Sequence, residues 1–560
     1  MLNVRNIKLC LSLISSLIFM SLSSLILLKG HIHEDAYILF TYAENLVNHS
    51  FIGYSLGTGP AEGATDFLWM IILSGLNFLG LDIGWAAAVL NGIGIFLIVY
   101  ILSQVSFKYT NNPAFAIILT LFVPISYLAQ GAMVGFSTAF YSSLILIYFY
   151  FLIYSNDRWI VFAPAIGLLL ALVRPDGAIF GVLGSMVFLF AVRKNDRSKY
   201  LLAVLITGAI GIFYFVARWN YFGEFLPLPL IVKSSSDLFL PGATTNLLFV
   251  DSIYLLCLFG VFGVITLQAG IARKLSVVLP AAVYFLSITF AEQTQNMGLR
   301  FQAPLLVAIL LFSVIFVSQL HTFFFDRLKS VKQVPIFDRL KSVKQAPIFF
   351  ILFIVIALAP IGLKNANSVR KILNFMTNSE YFQYFPYYLA NYVDDNTVIA
   401  LTEAGGLAYW MPGKKYDLVG LNTAETAVAG ASSGYIEEIS PDLIMAHHGG
   451  LLGNLQCSTG TSFCELARDQ LVKAASENNS HTYLESEIRV LRAAAVTVEF
   501  LSNNYDDYSV ISVKYGPSNV HIYGIRKNGA ISVRDFMSAL QESHTPEQQL
   551  SYYEMKTSID

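Results

Sequence analysis

Long apolar stretches separated by short polar segments fill the first two thirds of the chain. A membrane-crossing helix needs about 20 mostly apolar residues, and crossing segments must be helical because lipid offers backbone groups no hydrogen-bond partner. The apolar stretches lie near Leu9–Leu28, Phe67–Leu81, Trp85–Val105, Pro113–Ala129, Ala139–Tyr154, Ile160–Val173, Ala178–Val192, Leu201–Ala217, Phe249–Ala269, Val277–Ala291, Pro304–Val317 and Phe349–Leu363. The pattern predicts a polytopic α-helical membrane protein.

Basic loops set the predicted orientation of these helices. Lys and Arg concentrate after residue 192, at Arg273-Lys274 and between residues 327 and 344, which marks these loops and the amino terminus as cytoplasmic. An even number of crossings must then precede Arg193, whereas seven apolar stretches do. The weakest, Phe67–Leu81, is short and contains Gly75, so we assign it to an interfacial or re-entrant helix. We therefore expect about 11 crossings and an external carboxy terminus.

The region after the last apolar stretch has a different pattern. Short apolar runs at Thr397–Leu401, Val496–Leu501 and Tyr508–Val513 suggest strands, and a helical pattern surrounds Glu465–Ala475. We predict a membrane domain over residues 1–364, with its first external loop at 29–66, and an extracytoplasmic α/β domain over residues 365–560.

Composition supports the membrane class. Hydrophobic residues make up 55% of the chain and charged residues 13%, with a mean hydropathy of +0.60. The net charge of −2 gives no indication of a nucleic-acid partner. Cys457 and Cys464 lie close enough in the tail to form a disulfide in an oxidising compartment, and two unpaired thiols are the alternative.

A twelve-residue sequence is duplicated in tandem at residues 325–348, inside the predicted basic cytoplasmic loop. Loops tolerate such lengthening at small entropic cost, so a simple insertion explains the repeat. Contact with anionic lipid is the functional alternative.

Acidic residues follow the first helix. Glu34 and Asp35 are adjacent at the predicted external surface, where carboxylates are costly unless they are solvated or used. A helix amino-terminal pair favoured by the helix dipole is the alternative. Glu62 and Asp66 open the next apolar segment, and Asp66 could equally cap a helix. The His31-x-His33-Glu34 spacing does not fit a zinc site well, so we predict no metal cluster there.

Several motifs together resemble one family, the GT-C membrane glycosyltransferases, in the branch similar to mycobacterial terminal arabinofuranosyltransferases. Residues 34–46 read Glu-Asp-Ala-Tyr-Ile-Leu-Phe-Thr-Tyr-Ala-Glu-Asn-Leu, similar to that branch's Asp-Asp-Ala-Tyr-Ile-Ser-Phe-Arg-Tyr-Ala-Arg-Asn-Leu. Further matches in the family's order are 62–66 with Leu68-Trp69, 135–141, Arg-Pro-Asp-Gly at 174–177, 221–227 with Lys233, Gly-Leu-Arg-Phe at 298–301 with Pro304, Thr-Glu-Ala-Gly at 402–405, and 417–422.

The resemblance implies an inverting glycosyltransferase of the bacterial inner membrane, active in envelope polysaccharide synthesis. Its expected partners are a polyprenyl-phosphate sugar donor, a glycan or glycolipid acceptor and the surrounding lipids. By resemblance Glu34 is the base, and Asp35 orients the acceptor, holds a divalent cation such as Mg²⁺ or Mn²⁺, or is itself the base. No cofactor is required with certainty. The remaining residues expected to bind substrate are Glu62, Asp66, Arg174, Asp176, Lys233, Arg300 and Glu403.

The chain also departs from the family pattern. Glu34 replaces an Asp, Thr41 an Arg, Ser137 a Glu, and Leu228-Pro229 an Asn-Thr. A catalytically inactive relative that serves as an envelope assembly scaffold is therefore the alternative function. A lipid flippase fits less well, because the sequence shows no inverted half-repeats.

Overall fold

The computed structural model describes most of the chain. The described residues are 4–110, 113–155, 159–234, 240–293, 296–330, 346–377, 384–447, 452, 455, 457, 462–478, 489–514, 520–544 and 549–558. The central part of the predicted tandem repeat, residues 331–345, lies outside them.

Helices dominate the first 377 residues. In chain order they are α1 Val4–Lys29, α2 Glu34–His49, α3 Phe67–Phe78, α4 Ile83–Tyr109, α5 Ala114–Phe122, α6 Tyr127–Met133, α7 Thr138–Tyr154, α8 Ala163–Val173, α9 Gly184–Phe188, α10 Arg197–Phe222, α11 Leu228–Ser234, α12 Ala243–Ser252, α13 Tyr254–Thr266, α14 Ile271–Thr289, α15 Ala303–Ser330 and α16 Ala346–Thr377. Short 3-10 or π turns occur at Val123–Ile125, Ile160–Phe162, Ile179–Leu183, Lys194–Asp196 and Met297–Leu299.

Among the described residues, six helical segments are long and apolar enough to cross a membrane, or seven if one bent pair counts as a crossing. The six are Val4–Lys29, Ile83–Tyr109, Ala114–Met133, Lys194–Phe222, Ile271–Thr289 and Ala303–Phe323. The polytopic helical class is therefore confirmed, while the number of eleven crossings and their orientation stay predictions. Helix α3 has 12 residues, which span only about 18 Å and fit the predicted interfacial segment better than a crossing.

One predicted crossing is not a single straight helix, and whether it crosses stays a prediction. The apolar stretch Phe249–Ala269 is divided between α12 and α13, which are bent by 83°. Ile253 at the junction leaves the helical region with φ −131°, and Ser252 Oγ donates to the Phe249 carbonyl at 2.6 Å. Such local side-chain bonds to the backbone compete with helix continuation.

The chain folds into two compact units, each assembled from three segments. Unit 1 contains Met1–Leu25, Gly84–Phe213 and Phe239–Asn374. Unit 2 contains Ile26–Ile83, Tyr214–Leu238 and Phe375–Asp560. The predicted boundary between residues 364 and 365 stays a prediction, and residues 29–66, predicted as the first external loop, belong to the same unit as the carboxy-terminal region.

Unit 2 is built around a six-stranded sheet of order β2-β1-β3-β6-β5-β4. The strands are β1 Val398–Leu401, β2 Lys414–Asp417, β3 Leu443–His447, β4 Phe463–Glu465, β5 Tyr508–Lys514 and β6 Val520–Arg526. Strand β1 pairs in parallel with β2 and β3, and the remaining pairs are antiparallel. Because β2 and β3 lie on opposite sides of β1, the carboxyl ends of β1 and β3 flank a point where the strand order reverses, a common position for binding sites.

Helices surround this sheet. They are α17 Phe385–Leu389, α18 Gly406–Trp410, α19 Ala424–Ala429, α20 Ser433–Ile439, α21 Arg468–Asn478, α22 Arg489–Asn503, α23 Val533–His544 and α24 Tyr552–Thr557, with a 3-10 turn at Ala390–Tyr392. The predicted strand at Val496–Leu501 is wrong, because these residues belong to α22. Its alanine-rich face is buried against the sheet, where Gly524 makes room for the Leu501 side chain. The predicted strands at Thr397–Leu401 and Tyr508–Val513 are found as β1 and β5.

Candidate active site

Helix α2 begins at the predicted acidic pair. His33 is its N-cap residue, and His33 Nδ1 accepts the backbone N–H of Asp35 at 3.2 Å. Glu34 and Asp35 therefore occupy the first helical turn, where the dipole favours negative charge. Both acids are partly exposed, whereas the following residues from Ala36 to Ala43 are buried.

The Glu34 carboxylate is held by two consecutive backbone groups. Gly405 donates its N–H to Glu34 Oε1 at 2.8 Å, and Gly406 donates to Oε2 at 2.7 Å. A Cβ at Gly405 would overlap the Glu34 carbonyl, and one at Gly406 would lie 2.8 Å from Oε2. The two glycines therefore permit a backbone approach that a larger residue would prevent, and this contact fixes the orientation of the carboxylate.

A second acid, Glu403, precedes the two glycines at the carboxyl end of β1. His447 Nε2, at the end of β3, lies 3.3 Å from Glu403 Oε1, and His521 Nε2, on β6, lies 3.8 Å from Oε2. His447 Nδ1 is 3.2 Å from the hydroxyl of Thr402. The predicted site residues Glu34 and Glu403 are thus brought together, and the two histidines beside them were not predicted as site residues.

Burial dominates the electrostatics of this cluster. Burial raises the pKa of Glu34 well above its usual range and the charge of Glu403 raises it further, while the Gly406 and Gly405 N–H groups oppose this shift. Burial lowers the pKa of His447 to about 4, and burial together with the neighbouring His447 lowers the pKa of His521. Both imidazoles are therefore neutral at pH 7, so they interact with Glu403 as dipoles rather than as cations.

The Asp417–Asn422 motif meets the first external loop as well. Tyr42 donates its hydroxyl to the Ala61 carbonyl at 2.7 Å and accepts the N–H of Gly63 at 2.8 Å. Asn422 Oδ1 lies 3.3 Å from the same hydroxyl, and Asp417 is buried and accepts the backbone N–H of Asn422 at 3.0 Å. The motif therefore supports the loop that carries Glu62.

Glu62 forms a buried ion pair with a residue that sequence reasoning missed. Glu62 Oε2 lies 3.2 Å from Arg218 Nη1, and both side chains are 6% exposed. Arg218 also donates to the carbonyls of Glu224 and Phe225 at 2.8 and 2.9 Å. Burial raises the pKa of Glu62 to about 7 although Arg218 acts to lower it. A charged residue near the end of the apolar stretch of α10 was the available signal, because such a charge requires a partner.

Asp66 and Lys233 occupy helix ends. Asp66 is the N-cap residue of α3, but its side chain makes no capping hydrogen bond there. Lys233 lies in the last turn of α11, whose buried Leu228 and Val232 pack against Ala427 of α19. Neither position by itself identifies a substrate contact.

In unit 1, Arg174 is paired with Asp176. Arg174 Nη2 lies 2.7 Å from Asp176 Oδ2, and Arg174 Nε lies 3.2 Å from Oδ1. Tyr141 and Tyr284 donate their hydroxyls to the same carboxylate at 3.0 and 3.2 Å. The structure therefore places two predicted substrate-binding residues in a mutual ion pair that also holds two helices, α7 and α14.

Arg300 stacks on aromatic rings in the same unit. Its guanidinium carbon is 3.6 Å from the ring centroid of Phe136 and 5.1 Å from that of Phe301, which Arg174 also approaches at 5.6 Å. Buried amides hold this turn. Asn296 Oδ1 accepts the N–H of Phe301 at 3.1 Å, and Asn296 Nδ2 donates to Gln302 Oε1 at 2.9 Å. Phe301 is thus the common neighbour of two predicted phosphate-binding cations.

Metal and disulfide predictions have separate outcomes. Among the described residues, no group of three or more His, Cys, Asp or Glu side chains is arranged to hold a metal ion. Cys457 and Cys464 form a disulfide in the structure. It links the segment before β4 to β4 itself.

Comparison with known proteins adds the family context. Residues 377–513 match the model of a Domain of unknown function (DUF8728). A search of the curated proteins finds no relative.

Solved structures give broader matches. ArnT from Cupriavidus metallidurans bound to undecaprenyl phosphate is 12% identical with a TM-score of 0.51, and the match covers 81% of this chain and 96% of ArnT. Its apo state gives 12% identity, a TM-score of 0.51 and coverages of 80% and 94%. A mutant of the arabinofuranosyltransferase AftD from Mycobacteria is 12% identical with a TM-score of 0.45, and the match covers 81% of this chain and 38% of AftD. The predicted resemblance to GT-C glycosyltransferases is confirmed at the level of the fold.

Proposed function

We propose that this protein is an inverting glycosyltransferase that moves a sugar from a polyprenyl-phosphate donor to a hydroxyl of a glycan or glycolipid. The observation that carries the proposal is the oriented Glu34 carboxylate at the start of α2, whose pKa is raised by burial. Carboxylates with perturbed pKa values cluster at catalytic sites. The fold shared with ArnT, which binds undecaprenyl phosphate, supports the donor class.

Glu34 is the proposed base. It takes the proton of the acceptor hydroxyl as that oxygen attacks the anomeric carbon of the donor. The bond from this carbon to the phosphate oxygen breaks, and the phosphate leaves with the electron pair. A raised pKa makes the Glu34 carboxylate a stronger base, and general base catalysis contributes about 10²–10⁴-fold. Asp35, one residue further along the first turn, orients the acceptor.

Positive charge must stabilise the departing phosphate. Arg300 is the first candidate, since its guanidinium is presented on the Phe136 ring and its turn is held by amide hydrogen bonds. The charge of Arg174 is already matched by Asp176, so we assign this pair to holding the turn at residues 174–177. Lys233 is a further candidate for the phosphate. Glu62 supports the acceptor side through Arg218, and Asp66 begins the adjoining helix.

The reaction is proposed to occur on the external face of the bacterial inner membrane, with the carboxy-terminal region contributing to acceptor binding. Support comes from the distribution of basic loops, which marks the opposite face as cytoplasmic. The disulfide Cys457–Cys464 is also typical of an oxidising compartment.

An inactive scaffold is the second candidate. Thr41 stands where the family has Arg, and its hydroxyl donates to the Tyr37 carbonyl of its own helix at 2.9 Å. This position therefore supplies no positive charge to a substrate.

A donor panel separates the two candidates. Purified protein is incubated with radiolabelled polyprenyl-phosphate pentoses and hexoses and with extracted envelope glycans, and NMR determines the anomeric configuration of the product. The enzyme is expected to transfer one sugar class with inversion. Failure to transfer from every donor, by protein that binds the lipids, would favour the scaffold.

A further inference from the structure

A cluster of titratable groups surrounds the Glu403 carboxylate on several sides. The segment from Thr402 to Gly406 follows β1, and its last two residues donate backbone N–H groups to the Glu34 carboxylate. Glu403 lies two residues before the first of these donors. His447 reaches one oxygen of Glu403 from β3, and His521 approaches the other from β6. Histidines from two strands therefore lie beside Glu403, while the backbone that follows it binds Glu34.

We infer that Glu403 is a positioning residue that sets the proton affinity of Glu34, the two carboxyl groups acting as a pair. The inference rests on the proposed function, because it deepens the role of Glu34 as base. It adds a residue that acts through Glu34 rather than on the substrate.

Glu34 and Glu403 are two acids in a largely buried site, and the charge of Glu403 acts on Glu34. Two carboxylates that lie close together cannot both ionise freely, so the group that is better stabilised as an anion raises the proton affinity of the other. Glu403 has two imidazole nitrogens beside it, and its side chain is only 15% exposed. Polar neighbours at these distances lower the cost of a buried anion next to Glu34.

Other ionisable groups lie near this pair, and their charges also affect the pKa of Glu34. Two of these groups lie on α2. The charge of Asp35 raises the pKa of Glu34, and the charge of Glu34 raises the pKa of Tyr37. Tyr54 of the first external loop donates its hydroxyl to the Ala404 carbonyl at 2.7 Å. The tyrosines are neutral at pH 7, and His447 and His521 are neutral through burial. Glu403 is therefore the main carboxylate, besides Asp35, whose charge acts on Glu34.

The first test measures the pH dependence of kcat/KM in Glu403→Gln. Removing this charge is expected to move the acidic limb of the profile about one pH unit lower, because Glu34 then ionises more easily. Glu403→Asp keeps the charge and is expected to keep the limb near that of the wild type. A variant that loses activity equally at every pH, with an unmoved limb, would overturn the inference and leave a structural role.

Glu44→Gln is the matched control. Glu44 also lies on α2 and also contacts the carboxy-terminal region, through the Tyr409 hydroxyl and Lys556 Nζ, both at 2.6 Å. Its loss weakens a comparable attachment without changing the charge beside Glu34, so its acidic limb is expected to coincide with that of the wild type. A shift equal to that of Glu403→Gln would overturn the inference, because any weakened attachment would then have the same effect.

A second measurement does not depend on transfer activity. Infrared spectroscopy of the purified protein follows the protonated-carboxyl band that disappears in Glu34→Gln, and its titration midpoint is expected to fall in Glu403→Gln. An unchanged midpoint overturns the inference even if sugar transfer is observed. A lowered midpoint in a protein that transfers no sugar supports the carboxyl pair and rejects the proposed function. If Glu403→Gln does not fold, Glu403→Ser removes the same charge with a smaller side chain and is read in the same way.

Discussion

The backbone N–H of Gly405 donates to Oε1 of Glu34, 371 positions earlier in the chain, at 2.8 Å. This bond connects two of the motifs that carry the family resemblance. It also makes the position of the proposed base depend on the carboxy-terminal region. Removing residues 365–560 would therefore remove donors to Glu34, and point substitutions are the cleaner test.

Gly405→Ala tests the close approach to Glu34. Because the added Cβ would overlap the Glu34 carbonyl, we expect a loss of about 1–3 kcal/mol in stability, together with a large loss of transfer activity. Thermal unfolding in detergent and the initial rate of transfer measure the two effects.

Gly434→Ala is the control for this substitution. Gly434 lies exposed in α20, and a Cβ there would meet no atom within 4 Å. It should be neutral or stabilise the helix by up to about 1 kcal/mol. If both alanine variants behaved alike, the Gly405 contact would not hold Glu34.

The raised pKa of Glu62 predicts that the stability of the folded protein depends on pH. Its pKa is raised from the usual 4.5 to about 7 in the folded protein, so the folded state binds this proton more tightly than the unfolded state. The resulting stabilisation is complete below pH 4.5 and is lost as the pH rises through about 7. Relative to Glu62→Gln, the wild-type Tm should therefore fall across this window. A constant difference in Tm between pH 4 and 8 would contradict the assignment.

The stability effects of substituting Arg218 and Glu62 are expected to be strongly coupled. Arg218→Met removes the cation that acts to lower the Glu62 pKa, so Glu62 takes up a proton at neutral pH and the buried ion pair is lost, at a cost of up to about 3–5 kcal/mol. The double variant Glu62→Gln with Arg218→Met should lose less stability than the sum of the two single variants. Additive losses in this double-mutant cycle would show that the pair contributes no interaction energy.

Arg300 and Arg174 should respond differently to neutral substitution. Arg300→Gln is expected to raise the KM for the donor about tenfold, equivalent to about 1.4 kcal/mol, with little change in Tm. Arg174→Gln breaks the ion pair with Asp176 and should lower Tm first. The reverse pattern, with donor KM changed mainly in Arg174→Gln, would move the phosphate contact to Arg174.

Features encoded locally were predictable from the sequence. The start of α2 at Glu34 agrees with the helix amino-terminal pair that the sequence left open as an alternative, and β1 and β5 followed from short apolar runs. Val496–Leu501 resembled a strand because the window was short. The alanines before it extend the helical pattern to the 15 residues of α22.

Features that depend on distant contacts were not predictable. The sequence marks residues 402–405 only as a family motif, and nothing in the spacing of Gly405 and Gly406 indicates that they bind a carboxylate from the start of α2. His521 lies on a strand that could have faced either side of the sheet, so its approach to Glu403 required the register of β3 and β6. Arg174 and Asp176 are two residues apart, yet only the fold shows that they neutralise each other.

The most direct test of the account is the initial rate of sugar transfer from a polyprenyl-phosphate donor by wild type, Glu34→Gln and Asp35→Asn. Glu437→Gln, an exposed carboxylate of α20, is the control. We expect a fall of about 10²–10⁴-fold for Glu34→Gln, a smaller fall for Asp35→Asn and an unchanged rate for the control. A folded Glu34→Gln protein that transfers sugar within twofold of the wild-type rate would contradict it.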